Sequence, residues 1–222
     1  MQFAPLYPIL YRILKPTFPS CLWSGDETSP TIALTFDDGP HSEYTPQLLE
    51  VLDRYRVEAS FFCLGVGVER NPSLAREIQQ QGHWIGLHGY YHRSFPVLTP
   101  DELKQSLLKT QTAIANACQL HRDRVRDVRP PNGLFTPKVL KLLHQENYRP
   151  VMWSVVPEDW VSPGVAVVIN RVMAKVGNGS IIVLHDGYCG GHDVSAIANE
   201  LIPRLLDKGY RFVTIDKFWQ QK

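Results

Sequence analysis

The sequence predicts an α/β fold in which parallel strands alternate with helices around a closed or nearly closed barrel. From Thr31 onward, short runs rich in β-branched and aromatic residues alternate with amphipathic stretches that begin with helix-capping residues. About seven such β–α units fit the pattern, which favours a parallel sheet with crossover helices. A length of 222 residues suits one domain of barrel size. An open, doubly wound sheet is the competing architecture.

Three strands and three helices are predicted in the first half of this domain. The strand over 31–36 is apolar enough to be buried, and it runs into Asp37 and Asp38, where Gly39-Pro40 predicts a turn. The other elements are a helix from Thr45-Pro46, a strand over 57–64, a helix over 72–81, a strand over 83–87 and a helix from Thr99-Pro100 with a capping box.

The second half continues the same alternation to the end of the chain. Strands are predicted over 127–129, 151–155, 180–184 and 210–215, and helices begin at Thr136-Pro137, at Ser162-Pro163 and at Val194. The last of these helices contains Pro203, which should kink or divide it.

The N-terminal segment is apolar but does not have the polarity of a secretory signal. Met1–Leu14 carries no basic residue before its apolar part, Arg12 and Lys15 come at its end, and the run is too short to span a membrane. We expect an extension over 1–30 that packs on one domain over 31–222. A weak membrane-surface contact through the aromatic residues of the segment is the alternative.

The bulk composition excludes some partners. A formal net charge of +1, from 23 basic and 22 acidic residues, provides no field that would attract nucleic acid. The four cysteines have no zinc-finger or C-x-x-C spacing, and we expect mostly buried thiols. The sequence leaves the compartment and the oligomeric state undecided.

Ionisable residues follow nearly every predicted strand. They are Asp37 and Asp38 after the first strand, His88 and His92 after the third, Arg129 after the fourth, Glu158 and Asp159 after the fifth, and His185 and Asp186 after the sixth. In either α/β architecture, functional residues gather at the C-terminal ends of the strands. The sequence therefore predicts an active site there, although Asp37 and Asp38 alone could form a solvated turn.

His88 and His92 have a spacing that lets two imidazoles reach one ion. Together with Asp38 they would form a two-histidine, one-carboxylate set that leaves coordination positions open. His185 ends an apolar strand and could carry a proton. For each histidine the alternative is structural: a pair of exposed loop residues, or a core histidine bonded to backbone.

Five sequence blocks together resemble one known family. Thr35-Phe36-Asp37-Asp38-Gly39-Pro40, His88-x-x-x-His92, Arg129-Pro130-Pro131-Asn132-Gly133, Asp159-Trp160 and Leu184-His185-Asp186 occur in the order seen in the polysaccharide deacetylases. These are NodB-like carbohydrate esterases, many of which remove acetyl groups from N-acetylglucosamine polymers. The resemblance runs from Thr31 to the C-terminus. It implies a distorted, incomplete (β/α)7 barrel that binds one divalent metal, usually zinc but sometimes cobalt, nickel or manganese.

The resemblance also implies a role for each matching residue. The implied metal ligands are Asp38, His88 and His92; the base is Asp37, oriented by Arg129; the acid is His185, held by Asp159; and the substrate contacts are Pro131, Asn132 (through its backbone N–H at the oxyanion), Trp160 and Val183. Chitin oligosaccharides and peptidoglycan are the implied substrates. An extracytoplasmic or envelope location is implied as well, although no clear signal peptide is visible.

These residue types fit the chemistry of amide hydrolysis. An acetamide is a poor electrophile, so a metal is needed to polarise its carbonyl and to make water nucleophilic near neutral pH. Asp37 would accept the proton of that water, and His185 would protonate the departing amine while Asp159 stabilises the imidazolium. Two alternatives keep the fold: hydrolysis of a non-sugar amide or an O-acetyl ester, and a carbohydrate-binding protein without turnover.

Three positions depart from the family's usual pattern. Gly89 stands where Ser or Thr is usual, so we expect the histidine loop to lack a bracing hydrogen bond. Asn132 replaces an aromatic residue and changes one wall of the sugar groove. Val156 stands where an aspartate is common. These departures bear on substrate preference and loop rigidity more than on the metal, the base or the acid.

Overall fold

The computed structural model describes residues 6–221 and confirms an α/β fold built on one curled sheet of parallel strands. The strands are β1 Thr31–Asp37, β2 Ser60–Cys63, β3 Trp84–Leu87, β4 Asp127–Val128, β5 Arg149–Pro150, β6 Ile181–His185 and β7 Arg211–Phe212. Their order is β5-β4-β3-β2-β1-β6, and β7 pairs with the start of β1. Val155, just beyond β5, forms a parallel bridge to Ile182 of β6 and brings the two ends of the sheet together. The sheet is the distorted, incomplete barrel that the resemblance implied, and the open alternative is wrong.

Helices cover the outside of the curled sheet. They are α1 Tyr7–Thr17, α2 Tyr44–Tyr55, α3 Gly65–Arg70, α4 Pro72–Gln80, α5 Pro100–Cys118, α6 Pro137–Gln145, α7 Val165–Met173, α8 Gly191–Asp207 and α9 Ile215–Gln220. The predicted capping box opens α5, where Thr99 Oγ1 accepts from the N–H of Glu102 and Glu102 Oε2 accepts from the N–H of Thr99. No helix between residues 6 and 221 is both long and apolar enough to cross a membrane.

Of the two expected effects of Pro203, division of the helix does not occur, because α8 runs through it from Gly191 to Asp207. The proline lacks the N–H that would bond to the carbonyl of Asn199 one turn earlier. The hydroxyl of Tyr55, on α2, donates to that carbonyl at 3.1 Å. A tertiary contact therefore satisfies the acceptor that proline leaves open, and the helix continues.

Other boundaries also differ from those predicted from sequence. The predicted strand over 151–155 is an extended segment held by isolated bridges, including Leu22 to Val151, while the regular strand β5 precedes it. The short helices α3 and α9 were missed, and the predicted strand over 210–215 shrinks to Arg211–Phe212. Gly65, at the start of α3, lies so close to the Tyr90 ring that a Cβ atom would approach within 2.5 Å. Local propensity does not reveal such packing.

Helix α1 contacts the rest of the chain through one face. Four partly buried residues of this segment contact the hydrophobic core: Tyr7, Tyr11, Leu14 and Phe18. Phe18 meets Phe135 edge-on, with ring centroids 5.0 Å apart. Residues 1–5 of the extension lie outside the described part, and the boundary at residue 30 stays a prediction.

Strand β1 places the first carboxylates at the centre of the barrel mouth. Every residue of Thr31–Asp37 is buried, because β1 is flanked by β2 and β6 and covered by helices. Asp37 lies in register with His185 at the end of β6. The strand that the sequence predicted as buried thus carries the base candidate directly beside the acid candidate.

Candidate metal centre and active site

The predicted strand-end residues meet around one cavity of about 760 Å³. Its lining includes all three metal-ligand candidates, the base and acid candidates Asp37 and His185, and the orienting residue Arg129. Asn132, Trp160 and Val183 line it as well. Pro131 is buried next to this cavity wall but is not among the lining residues, and its substrate contact stays a prediction. Asp159 lies behind His185.

The three candidate ligands converge on one point of the cavity. Asp38 Oδ1 lies 3.4 Å from His88 Nε2 and 3.4 Å from His92 Nε2. All three ligand atoms lie within 4.8 Å of one another. Asp38 Oδ1 is buried and accepts no hydrogen bond from residues 6–221. A buried carboxylate oxygen without a donor is costly, and a cation between it and the two imidazoles would remove that cost. The donor set therefore fits a divalent metal.

Hydrogen bonding fixes the tautomer of His88. Its Nδ1 lies 2.8 Å from the carbonyl oxygen of Arg129, which can only accept, so the proton sits on Nδ1 and Nε2 presents a lone pair to the site. Burial lowers the pKa of His88, and this effect outweighs the nearby Asp37 and Asp38 carboxylates. His88 is thus neutral near pH 7, as a metal ligand must be.

The histidine loop is braced in spite of Gly89. Gly89 has a left-handed backbone with φ of 82°, which its lack of a side chain permits. The N–H of Tyr90 donates to Ser106 Oγ at 2.9 Å, and the Tyr90 hydroxyl donates to Glu69 at 2.6 Å. Ser106 of α5 therefore supplies a bracing hydrogen bond to the loop. The sequence had predicted that the loop would lack such a bond, because Gly89 has no side chain.

Asp186 supports the turn that carries Asp38. Its Oδ2 accepts from the hydroxyl of Thr45 at 2.6 Å, and the same hydroxyl accepts from the N–H of His41. A Cβ atom on Gly39 would lie 2.2 Å from Asp186 Oδ2, so only glycine fits against this carboxyl group. Burial raises the pKa of Asp186 to about 7. The residue joins the end of β6 to the turn after β1.

Asp37 is held by a buried arginine. Arg129, only 1% exposed, donates from Nη1 to Asp37 Oδ1 at 2.6 Å and to Thr35 Oγ1 at 2.8 Å, and from Nη2 to the carbonyl of Met152 at 2.9 Å. Burial alone would raise the pKa of Asp37, but Arg129 and the two nearby histidines His88 and His185 hold it below its usual value. Asp37 Oδ2 is turned to the ligands, 4.0 Å from His88 Nε2. The carboxylate is ionised, with one oxygen anchored and the other facing the metal site.

His185 is fixed by both oxygens of Asp159. The N–H of His185 donates to Asp159 Oδ2 at 2.7 Å, and His185 Nδ1 lies 2.9 Å from Asp159 Oδ1. Burial alone would lower the pKa of His185, but Asp159 outweighs it and, with Asp37 and Asp38, raises the pKa to about 9. The Nδ1–H contact leaves Nε2 as the second donor of the imidazolium. His185 is therefore protonated at neutral pH, as an acid should be.

We expect His185 of the metal-free protein to titrate near pH 9, and Asp159→Asn to lower that pKa substantially by removing the counter-charge. Since the folded pKa lies above the usual 6.5, the ion pair adds stability that is full below pH 6.5 and is lost as the pH rises through 9. NMR of the imidazole and denaturant unfolding at pH 6 and pH 10 test both statements. The destabilisation of Asp159→Asn should be larger at pH 6, and an equal loss at both pH values would contradict the ion pair.

Tyr7 of α1 is a cavity residue that sequence reasoning missed. Its ring meets Trp153 edge-on at 5.3 Å and Trp160 edge-on at 6.4 Å, and it lines the cavity with both. Burial and the negative charge of Glu158 raise its pKa. The only sequence signal was an aromatic residue in an apolar N-terminal segment, and this does not indicate where the segment docks.

The chain is similar to one protein family and to proteins of known activity. Residues 24–151 match the family model described as polysaccharide deacetylase. A peptidoglycan-N-acetylglucosamine deacetylase of Bacillus cereus is 33% identical over 219 residues, which cover 96% of this chain and 99% of the relative. A chitooligosaccharide deacetylase of Sinorhizobium fredii is 35% identical over 193 residues, 82% of this chain and 88% of the relative.

A solved structure shows that the likeness extends to the fold. The crystal structure of a peptidoglycan N-acetylglucosamine deacetylase, in complex with a naphthyl-substituted N-oxidanyl-benzamide, superposes with a TM-score of 0.86 at 31% identity. The superposition covers 91% of this chain and 94% of that one. Since the family model spans more than half of the chain and one relative matches along nearly its whole length, the chain belongs to the polysaccharide deacetylase family.

Proposed function

We propose that this protein is a metal-dependent hydrolase that removes N-acetyl groups from N-acetylglucosamine-containing glycans, such as chitin oligosaccharides or peptidoglycan, and releases acetate. The observation that carries the proposal is that the carboxylate–histidine–histidine set shares one cavity with the Arg129-bound Asp37 and the Asp159-bound His185. The substrates named for the two relatives support the choice of glycan.

Asp38, His88 and His92 would hold the divalent ion. Two imidazole nitrogens and one carboxylate oxygen suit zinc, and we propose zinc, with cobalt, nickel and manganese as alternatives. When bound, such an ion supplies a Lewis acid for the acetyl carbonyl and acidifies a water molecule. Three protein ligands leave coordination positions for both.

Asp37 would accept the proton of the attacking water. Arg129 holds Oδ1, so Oδ2, which faces the ligand set, is the oxygen that takes the proton. The same arginine keeps Asp37 ionised in a buried position where a lone carboxyl would be neutral. The N–H of Asn132, in its left-handed turn on the cavity wall, would donate to the developing oxyanion, a contribution of about 3 kcal/mol.

His185 would complete the reaction as the general acid. An amine leaves poorly as an anion, so the imidazolium must transfer a proton to the amide nitrogen as the C–N bond breaks. Asp159 keeps His185 charged and oriented. Because Asp37 and His185 are in register on neighbouring strands, base and acid approach the amide from adjacent positions. Trp160 and Val183 would enclose the acetyl methyl group.

Acetate release tests the proposal. Metal-free protein reconstituted with zinc or cobalt should release acetate from chitin oligosaccharides or from peptidoglycan, and removal of the ion by a chelator should stop the release. Bound metal without acetate release from any acetylated glycan would contradict the proposal. Acetate release only from O-acetyl esters or small amides would favour the alternative substrates.

Tyr7 should limit the size of the acyl group, because its ring borders the same cavity as Trp160. We expect Tyr7→Ala to raise the rate on N-propionyl and N-butyryl glucosamine oligomers about tenfold relative to N-acetyl oligomers, a typical discrimination for one or two methylene groups. Tyr11→Ala, one turn along the same helix face but outside the cavity lining, is the control. Equal acyl preferences in wild type and Tyr7→Ala would contradict this role.

We further propose an extracytoplasmic or envelope-associated place of action. The peptidoglycan named for the Bacillus cereus relative supports it, since that polymer lies outside the cytoplasm. Fractionation of the native host tests this, and a chain confined to the cytosol would contradict it.

A further inference from the structure

Tyr188 is an exposed aromatic residue on the rim of the catalytic cavity. It lines the cavity, yet its side chain is 84% exposed. Single exposed aromatics are ordinary on protein surfaces, but this one stands directly beside the catalytic groups. The proposed reaction gives it no role.

The loop that carries Tyr188 rests on the catalytic residues themselves. A Cβ atom on Gly187 would lie 2.4 Å from Asp38 Cβ, and one on Gly190 would lie 2.9 Å from Asp159 Oδ2 and 3.1 Å from His185 Cβ. Glycines on both sides thus let the backbone lie flat against the site. Tyr188 is one residue, about 3.8 Å of backbone, from the Asp38 contact.

The Tyr188 ring packs against a stacked pair of aromatic side chains. His41 stacks on Tyr44 with ring centroids 4.3 Å apart and an interplanar angle of 12°. Tyr188 meets His41 edge-on at 5.1 Å. The edge-on contact covers only part of the Tyr188 ring. Because the side chain is 84% exposed, one face of the ring is open to solvent at the mouth of the cavity. A supported ring loses little conformational entropy when a ligand stacks on it.

We propose that Tyr188 forms a second sugar-binding subsite, on which a pyranose ring next to the residue being deacetylated stacks through its C–H face. The inference rests on the proposed function and makes it more specific: the preferred substrate is an oligomer that fills both subsites, not a single acetylated sugar. A pyranose offers an apolar C–H face and hydroxyl groups at its rim, which matches an aromatic face with a hydroxyl group at its edge.

The test compares substrate lengths. For acetate release, kcat/KM would be measured on N-acetylglucosamine hexamer and on N-acetylglucosamine monomer with the metal-loaded protein. Tyr188→Ala should lose about five- to tenfold on the hexamer and less than twofold on the monomer, a size typical of one aromatic contact. Tyr188→Phe, which keeps the ring, should behave as wild type. Leu108→Ala removes an exposed apolar side chain of α5, 48% exposed and outside the cavity lining, and should change neither rate.

Two results would overturn the subsite. One is an unchanged hexamer rate in Tyr188→Ala; the other is an equal loss on both lengths, which would indicate that the loop only positions Asp38 or His185. Direct binding of the chitin hexamer to metal-free protein, followed by NMR or calorimetry, separates this inference from the proposed reaction. Binding that weakens in Tyr188→Ala would support the subsite even if no acetate were released, and binding of equal strength in both proteins would refute it.

Discussion

Replacing Asp38 with alanine is expected to weaken binding of the divalent ion more than about 100-fold and to abolish acetate release. Changes to groups that merely orient a ligand cost about 10–100-fold in affinity, and Asp38 is itself the anionic member of the ligand set. Isothermal titration with zinc gives the affinity. In wild type the ion should also raise the midpoint of thermal unfolding, since it binds only the folded site, and in Asp38→Ala it should not.

The Asp38→Ala experiment needs a control, because alanine fits the backbone conformation at this position poorly. Asp38 has a φ of 76°, a left-handed conformation that aspartate and asparagine tolerate better than alanine. Asp38→Asn keeps that tolerance and removes only the charge, so its metal affinity should fall without the added backbone strain. Asn147→Ala makes the same type of backbone change at a remote left-handed position and should leave metal binding intact. Zinc affinity in Asp38→Ala equal to that of wild type would exclude Asp38 as a ligand.

Most of the candidate site was predictable because it depends on where strands end. In a parallel sheet the C-terminal ends share one edge, so residues such as Asp37, His88 and His185, distant in sequence, had to meet there. Short apolar runs predict where strands occur. Thr-Pro caps, such as those of α5 and α6, predict where helices begin. The parallel sheet and the convergence of the ligands follow from these local signals, whereas the curling of the sheet into an incomplete barrel was implied by the family resemblance.

The parts that were missed depend on contacts between distant segments. Nothing local indicates that Tyr55 would satisfy the carbonyl that Pro203 leaves open, or that Ser106 would brace the loop at Gly89. The docking of Tyr7 against Trp153 is of the same kind. In each case a residue from a distant segment supplies a missing hydrogen bond or completes part of the cavity lining. Sequence patterns that are read one segment at a time do not reveal such contacts.

Asp37→Asn should retain the metal and lose turnover by about 10²–10⁴-fold, the usual contribution of a general base. The amide keeps the shape of the side chain and an oxygen that can accept from Arg129, but it cannot take a proton from water. Zinc affinity should stay within about tenfold of wild type, because Asp37 is not in the ligand set. Acetate release and zinc titration on the same preparation separate this variant from Asp38→Ala, which loses both.

The same substitution also has a cost in stability, which must be separated from its effect on catalysis. Arg129 is buried, and loss of its counter-charge can destabilise the fold by up to about 3–5 kcal/mol. Asp127→Asn is a matched control, because Asp127 is a buried carboxylate that accepts from Arg149 at 2.8 and 2.9 Å, lies at the N-terminal end of β4 and does not line the cavity. Both variants should unfold at lower denaturant concentration than wild type, but at a temperature where both are folded only Asp37→Asn should lose activity. If Asp37→Asn kept full activity, Asp37 would not be the base; if Asp127→Asn lost as much activity, the effect would be one of stability alone.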